Sequence, residues 1–457
     1  MSEREVDVVV IGGGPAGEVC AGRLGEAGLE VALVERHLIG GECSYYACMP
    51  SKALLRPAEA LAEVRRIPGA AEAVSGQIDA GAVLARRDEV VHDLDDSGQL
   101  PWLEERGISA VRGHGRLVGE RRVAVGDDEL LARRAVVIAT GSGASVPPIP
   151  GLREAEPWTN IEMTTAKAVP GRLLVLGGGV AGVEMAQAWS SLGSEVTVVE
   201  ALDRLLAREE EFASEQVTDA LRERGVEVRT GVKATAARRE GGAVALELEG
   251  GQTLSGDELF VAVGRRPHTE DLGLDTLGLE PGEPVEVDDH MRAGGIDWLY
   301  AIGDANGRVL LTHMGKYQGR IAADRILGRE TAHEHGADGP LSPRVVFTDP
   351  QVAAVGHTLA SARDAGLDVR AVDVSTSGNA GGSFYGRNAP GTARIVVDEG
   401  RRVLVGATFT GAEVADFIHA ATIAIVAEVP LERLWHAVPS FPTRSELWLR
   451  LLEEHGL

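Results

Sequence analysis

Cysteine is scarce: Cys20, Cys43 and Cys48 are the only three in 457 residues. Three cysteines cannot build the framework of a small secreted disulfide domain, and no set of cysteines and histidines has the spacing of a zinc site, so no metal is expected. Lysine is almost as rare. Lys52, Lys167, Lys233 and Lys316 are all there are, and arginine supplies the rest of the positive charge. That charge is in deficit, with a formal net charge of -24 at pH 7. The deficit argues against nucleic acid and anionic membranes as partners. No run of about twenty apolar residues occurs, so the sequence offers no candidate membrane span. Met1 to Asp7 are polar and lead straight into Val8-Val9-Val10-Ile11. That reads as a short strand rather than a signal peptide, and it predicts a cytoplasmic protein.

What is present is the balance of a globular chain, 44% hydrophobic and 25% charged. Its length predicts two or three domains. Val6 to Ile11 reads as a strand, Gly12 to Gly17 as a turn, Glu18 to Ala27 as a helix and Val31 to Glu35 as a second strand. The same order returns with strand Arg172 to Leu176, turn Gly177 to Gly182, helix Val183 to Leu192 and strand Val196 to Glu200. Between them, strand Arg133 to Thr140 leads to Pro147-Pro148-Ile149-Pro150-Gly151, a linker signal. A similar strand, Glu258 to Val263, ends in Gly264-Arg265-Arg266-Pro267. From about Gly336 the pattern changes to short alternating strands (Arg394 to Val397, Val403 to Thr408) and a helix (Val414 to Val426), the mark of a separate α+β domain.

Gly12-Gly13-Gly14-Pro15-Ala16-Gly17 fits G-x-G-x-x-G between a strand and a helix, and Glu35 follows Gly17 by 18 residues. Glycines admit the backbone to a pyrophosphate, the helix N-terminus supplies positive potential, and an acidic residue about 20 positions on accepts ribose hydroxyls. Gly177-Gly178-Gly179-Val180-Ala181-Gly182 repeats the pattern, with Glu200 again 18 residues beyond the last glycine. One such loop is a weak signal. Two in full context predict two dinucleotide sites built on Gly12, Gly14, Gly17 and Glu35, and on Gly177, Gly179, Gly182 and Glu200. A carboxylate at Glu200 accepts the ribose of NADH, whereas the 2′-phosphate of NADPH meets like charge; Arg204, nearby, weighs the other way. NADH is the expected nucleotide, with NADPH less favoured.

Cys20 falls on the apolar face of the first helix and is expected in the core. Cys43 and Cys48 are different. They are five apart, about 140° on an ideal helix, so a disulfide between them needs a distorted opening turn. The stretch Gly40-Gly41-Glu42-Cys43-Ser44-Tyr45-Tyr46-Ala47-Cys48-Met49-Pro50-Ser51-Lys52 resembles the redox-active segment of the class I pyridine nucleotide-disulfide oxidoreductases. That family includes dihydrolipoyl dehydrogenase, glutathione reductase, mycothione reductase and mercuric reductase. The resemblance runs on in order through Ala139-Thr140-Gly141-Ser142, the second glycine loop with Glu184, Val263-Gly264-Arg265-Arg266-Pro267, Ala301-Ile302-Gly303-Asp304-Ala305 and Val346-Phe347-Thr348-Asp349-Pro350 to Val355-Gly356.

The resemblance implies an α/β architecture of two Rossmann-like domains, one for FAD and one for NAD, with a C-terminal α+β dimerisation domain. The implied boundaries are 1–148 with 265–335 for FAD, 149–264 for NAD and 336–457 for the interface. It implies a homodimer whose active site is shared between subunits, and electron flow from NADH through FAD to a Cys43–Cys48 redox disulfide and on to a small-molecule acceptor. Cys48 would face the flavin and Cys43 the substrate. Lys52, one turn beyond Cys48, would lie at the flavin and pair with Glu184. Asp304, after Gly303, would bind the ribitol of FAD, and His114 and Gly115 the adenine. Thr140, Gly141, Ser142, Gly264 and Arg265 belong to the same set of cofactor positions.

The resemblance breaks near the C-terminus. Disulfide reductases of this kind carry His-Pro-Thr and then a glutamate, the histidine acting as acid and base for the partner's cysteine pair. Here the segment is Val438-Pro439-Ser440-Phe441-Pro442-Thr443-Arg444-Ser445-Glu446. Registered on Pro-Thr, Phe441 takes the histidine position; registered on Pro439, Val438 does. Neither is a base, which is worth about 10²–10⁴ in dithiol exchange. Glu446 remains as a catalytic candidate, and His436, Tyr45 and Tyr46 are unranked substitutes for the missing base. Three functions follow: transfer through the cysteines to a disulfide or other thiol-reactive acceptor, direct transfer from the flavin to a quinone-type acceptor, or a redox-sensing flavoprotein with little turnover. Mercuric reductases add a C-terminal cysteine pair, and this chain has no cysteine after Cys48, so mercury is disfavoured. The absence of that pair also counts against a high-molecular-weight thioredoxin reductase.

Overall fold

The computed structural model describes residues 3–386, 389 and 391–457. The chain forms two compact units, Met1–Pro50 with Asp88–Ser145 and Gly264–His335, and Ser51–Arg87 with Val146–Val263 and Gly336–Leu457.

The first unit is built on one mixed sheet. Strands Ile108–Arg112, Val31–Glu35, Glu3–Ile11 and Asp128–Ile138 lie side by side in that order and run parallel, and Leu299–Ala301 pairs in parallel with the last of them. Val8 stands opposite both Val31 and Ala135. Val9, Ile11, Val136 and Ile138 face one hydrophobic core, and Val8, Val10, Ala135 and Val137 face another. Burial on both faces is why these strands read as unbroken valine and isoleucine rather than as an alternating pattern. The helix Pro15–Glu26 packs on the second core through Cys20, Ala21 and Leu24. Cys20 is fully buried, as expected, and burial pushes its thiol up to about 12.

The second unit contains the repeat of the first motif. Glu227–Arg229, Glu195–Val199, Arg172–Leu176 and Glu258–Val261 form a parallel four-stranded sheet in that order. The helix Val180–Ser191 covers it, burying Trp189. The same unit holds a five-stranded antiparallel sheet ordered Arg344–Val346, Gln351–Gly356, Val403–Gly411, Thr392–Asp398 and Val369–Ser375. Helices Val414–Val426 and Leu447–His455 share a core with it.

The elements expected from the sequence are present, with shifted ends. Both motif helices begin three residues early, at Pro15 and Val180, because the residues after Gly14 and Gly179 already carry helical backbone behind an extended N-cap glycine. No helix among the described residues is long and apolar enough to cross a membrane.

Candidate active site

The first glycine loop is shaped by contacts that no side chain would allow. At Gly12, with φ of +111°, a Cβ would lie 2.2 Å from the Ala139 carbonyl oxygen, and at Gly17 it would lie 2.0 Å from that of Gly12. In front of Gly14 the nearest group is the Gly41 Cα, 3.9 Å from a Cβ built there. Glu35, at the end of its strand, accepts hydrogen bonds from the Gly13 N–H (2.7 Å) and the His37 N–H (2.7 Å). A cavity of about 130 Å³ opens beside it, lined by Gly12, Glu35, His114, Gly115, Thr140 and His268 among others. Five of these six were candidates from the sequence. Among the described residues the Thr140 hydroxyl is buried there without a hydrogen-bond partner, which fits a polar ligand in the cavity. His114 Nε2 is 2.7 Å from the Asp271 carbonyl oxygen. His268 was missed: it stands just after Gly264-Arg265-Arg266-Pro267, and burial lowers its pKa, so it is neutral at pH 7.

Four sequence-distant candidates converge next to this loop. Ser142 Oγ donates to Asp304 Oδ2 (2.5 Å), and Arg265 donates to Ser142 Oγ (2.7 Å) and to the Ser142 carbonyl (2.5 Å). Arg265 also pairs with Glu42. Burial raises the Asp304 carboxyl above the usual carboxylate range, with Ser142 and Arg265 opposing the rise. Gly303, with φ of +67°, is fixed by donation of its N–H to Gln318 Oε1 (2.8 Å). Gly141 and Gly264, with φ of +71° and +148°, immediately precede the short paired strands Ser142–Ala144 and Arg265–Pro267.

The cysteine segment is not one helix. A short helix Gly41–Tyr45 ends at Tyr46, whose φ of -132° breaks the turn, and a new helix Cys48–Arg66 begins at the second cysteine. The break lets the two sulfurs meet. The Cys43 thiol hydrogen-bonds to Cys48, and Thr312 Oγ1 donates to Cys43 Sγ at 3.0 Å and lies 3.4 Å from Cys48 Sγ. The Cys48 contact and burial push the Cys43 thiol up, while Thr312 and Lys316 draw it down. Thr312 has no motif to announce it beyond its place at the start of the helix Thr312–Ile326. Tyr45 is 2% exposed and packs as core, which leaves Tyr46 as the partly exposed phenol of the two.

In the second unit, Lys52 Nζ lies 2.7 Å from Glu184 Oε2 and 4.7 Å from the centre of the Phe347 ring. Glu184 is 3% exposed, and its other oxygen accepts the Phe347 N–H at 2.9 Å. The second glycine loop copies the first. A Cβ at Gly177 would lie 2.5 Å from the Ala262 carbonyl oxygen, one at Gly182 would lie 2.0 Å from that of Gly177, and Gly179 faces open space. Glu200 accepts from the Gly178 N–H (2.5 Å) and the Leu202 N–H (2.8 Å). Arg204 donates to the carbonyls of Ala207 and Glu209 at 2.8 and 2.9 Å. At the C-terminal segment, Phe441 and Val438 are 78% and 77% exposed, and Glu446 accepts from the Ala380 N–H at 3.2 Å. His436 is exposed, with its ring edge-on to Trp435.

These arrangements match known proteins. Residues 6–319 fit the family model "pyridine nucleotide-disulphide oxidoreductase", and residues 342–451 fit the dimerisation domain of that name. Dihydrolipoyl dehydrogenase of Chlamydia muridarum is 32% identical over 451 residues, 97% of this chain and 95% of the relative. Mercuric reductase of Shigella flexneri is 33% identical over 450 residues, 95% of this chain and 78% of the relative. Among solved structures, the HOCl-induced flavoprotein disulfide reductase RclA from Escherichia coli matches with a TM-score of 0.86 at 26% identity, over 98% of this chain and 99% of that one.

Proposed function

The chain belongs to the pyridine nucleotide-disulphide oxidoreductases, whose members are FAD-dependent enzymes that use NAD(P)H, and from that premise we propose that it passes electrons from NADH to a disulfide or other thiol-reactive acceptor through Cys43 and Cys48. The observation that carries this reading is the broken helix that brings both sulfurs to one threonine hydroxyl. Bound FAD supplies a two-electron carrier between the nicotinamide and the cysteine pair.

The residues fit that cofactor. Gly12, Gly14 and Gly17 leave room for a pyrophosphate, and Glu35 is held ready for a ribose. Thr140 has an unmatched hydroxyl, and Asp304 is oriented by Ser142 and Arg265 to accept from sugar hydroxyls. Lys52, fixed by Glu184, brings a positive charge that favours electron-rich chemistry beside it. Glu200 presents a carboxylate to the nucleotide ribose, which supports NADH over NADPH. Cys48 faces the flavin in this reading and Cys43 the acceptor. The exposed Phe441 and Val438, within the segment that matches a dimerisation domain, support a homodimer with a shared site, Glu446 holding that segment to Ala380. A reversible dithiol fed by a nicotinamide nucleotide belongs in the reducing cytoplasm.

A second reading keeps one observation in its favour. Phe441 stands in the Pro-Thr register where a base would serve disulfide exchange, and a quinone-type acceptor needs no such base. Anaerobic titration with NADH separates the two. A long-wavelength thiolate–flavin band with the flavin still oxidised supports the cysteine route, and direct bleaching without it favours the quinone route. Cys43→Ser is expected to abolish turnover on the best acceptor; undiminished turnover would sink the cysteine route.

A further inference from the structure

The helix Thr312–Ile326 brings more than Thr312 to the cysteines. Lys316 follows Thr312 by one turn, so the two side chains share a face of that helix. Gly315 and Gly319 bracket Lys316 and lie against the helix Pro15–Glu26. A Cβ at position 315 would be 3.3 Å from the Ala16 Cβ, and one at 319 would be 2.7 Å from the Ala16 carbonyl oxygen. The two backbones therefore cross almost in contact, next to Lys316 on one helix and to the first turn, which carries Glu18, on the other. Lys316 acts electrostatically on Glu18 and on Cys43 alike. It is one of only four lysines in the chain, and it is partly buried.

We propose that Lys316, seated by the helix crossing and counterbalanced by Glu18, is the positioning cation that stabilises the Cys43 thiolate where a histidine is missing. The inference rests on the reading of Cys43 as the exchange thiol. In the reduced pair the Cys43 thiol gives its proton to solvent and keeps the electron pair. The thiolate attacks one sulfur of the acceptor disulfide, forming a mixed disulfide and expelling a thiolate that takes up a proton. Cys48 then attacks Cys43, releasing the second acceptor thiol and closing the Cys43–Cys48 disulfide. The acceptor gains two electrons and the pair loses two.

Cys43 contacts Cys48 and Thr312 and feels the charge of Lys316, while the charges acting on Glu18 include Lys316 and Glu35, and Tyr45 feels the Glu18 charge in turn. Burial pushes the Glu18 carboxyl up to about 7. Below that pH Glu18 is neutral and Lys316 acts on Cys43 alone; above it the carboxylate offsets the ammonium. Glu18→Gln therefore lowers the Cys43 midpoint, and Lys316→Met raises it.

The test is alkylation by iodoacetamide of the dithiothreitol-reduced holoprotein across pH 5.5 to 10, with Cys43 labelling read by peptide mass spectrometry. Lys316→Met should raise the midpoint by about one unit, slowing labelling at pH 7 about tenfold. Lys316→Arg should restore most of the rate, and Glu18→Gln should move the midpoint down. A Lys316→Met profile that overlays the wild type overturns the proposal. If that variant does not fold, a Glu18→Gln midpoint that is unchanged or raised overturns it instead. Failure of the cysteine route itself would show in Cys43→Ser turnover and leave these labelling profiles unaltered.

Discussion

At the residue scale, the two glycine loops share one carboxylate arrangement. Glu35 and Glu200 both accept from a loop N–H and from the N–H two residues on. In the proposed reading each oxygen keeps a lone pair for a ribose hydroxyl. Glu200→Ser should remove one acceptor pair and the repulsion toward a 2′-phosphate together. The expected result is a fall of about tenfold or more in the ratio of kcat/KM for NADH to that for NADPH, about 1.4 kcal/mol. Steady-state rates with both nucleotides check it, and an unaltered ratio would remove Glu200 from specificity. Spacing alone pointed both carboxylates at their glycine loops, and the structure bonds each to its loop N–H. Thr312 and His268 were not legible in this way, because each reaches its site by being folded against a distant segment, and neither belongs to a spaced motif.

At the element scale, the critical objects are the helix crossing and the glycine turns. At Gly17 an added Cβ would stand 2.0 Å from the Gly12 carbonyl oxygen, a clash with backbone that no rotamer relieves. Gly17→Ala should push the helix Pro15–Glu26 off the loop and yield protein depleted of flavin, read as the ratio of visible to ultraviolet absorbance. Retention of full flavin would show that the close approach is dispensable. Glu18, in the same helix, is raised from 4.5 to about 7 by burial. Between those values the folded state holds a proton that the unfolded chain has lost, so stability falls as pH rises through this window. Above pH 7 Glu18→Gln should be the more stable protein, by about 1–3 kcal/mol, and below pH 4.5 the two should match. Denaturation curves at pH 4, 6 and 8 decide it. The break at Tyr46 belongs to this scale too: spacing required a distorted turn between the cysteines, and the structure supplies a full stop and restart.

At the scale of the whole molecule, the exposed C-terminal segment raises the question of assembly. Phe441 and Val438 are largely bare in a single chain, and the surrounding residues match a dimerisation domain. Phe441→His should raise disulfide turnover by roughly tenfold or more, within the range one acid/base supplies, provided that the loop meets the Cys43 of a second copy. No gain would mean that the loop does not reach a partner's cysteines. Sedimentation of the wild type supplies the independent check, with a dimer expected.

The sequence alone points to the two glycine loops, the acidic residues beyond them and the cysteine pair. Each is a short-range pattern of residue type and spacing, imposed by phosphate geometry, ribose hydrogen bonding or thiol chemistry. It takes the tertiary structure to show that Ser142, Arg265, Glu42 and Asp304 form one network, that the Phe347 N–H anchors Glu184, and that Thr312 reaches both sulfurs. Those contacts join segments more than a hundred residues apart, and they exist because buried polar groups must find partners once the cores close.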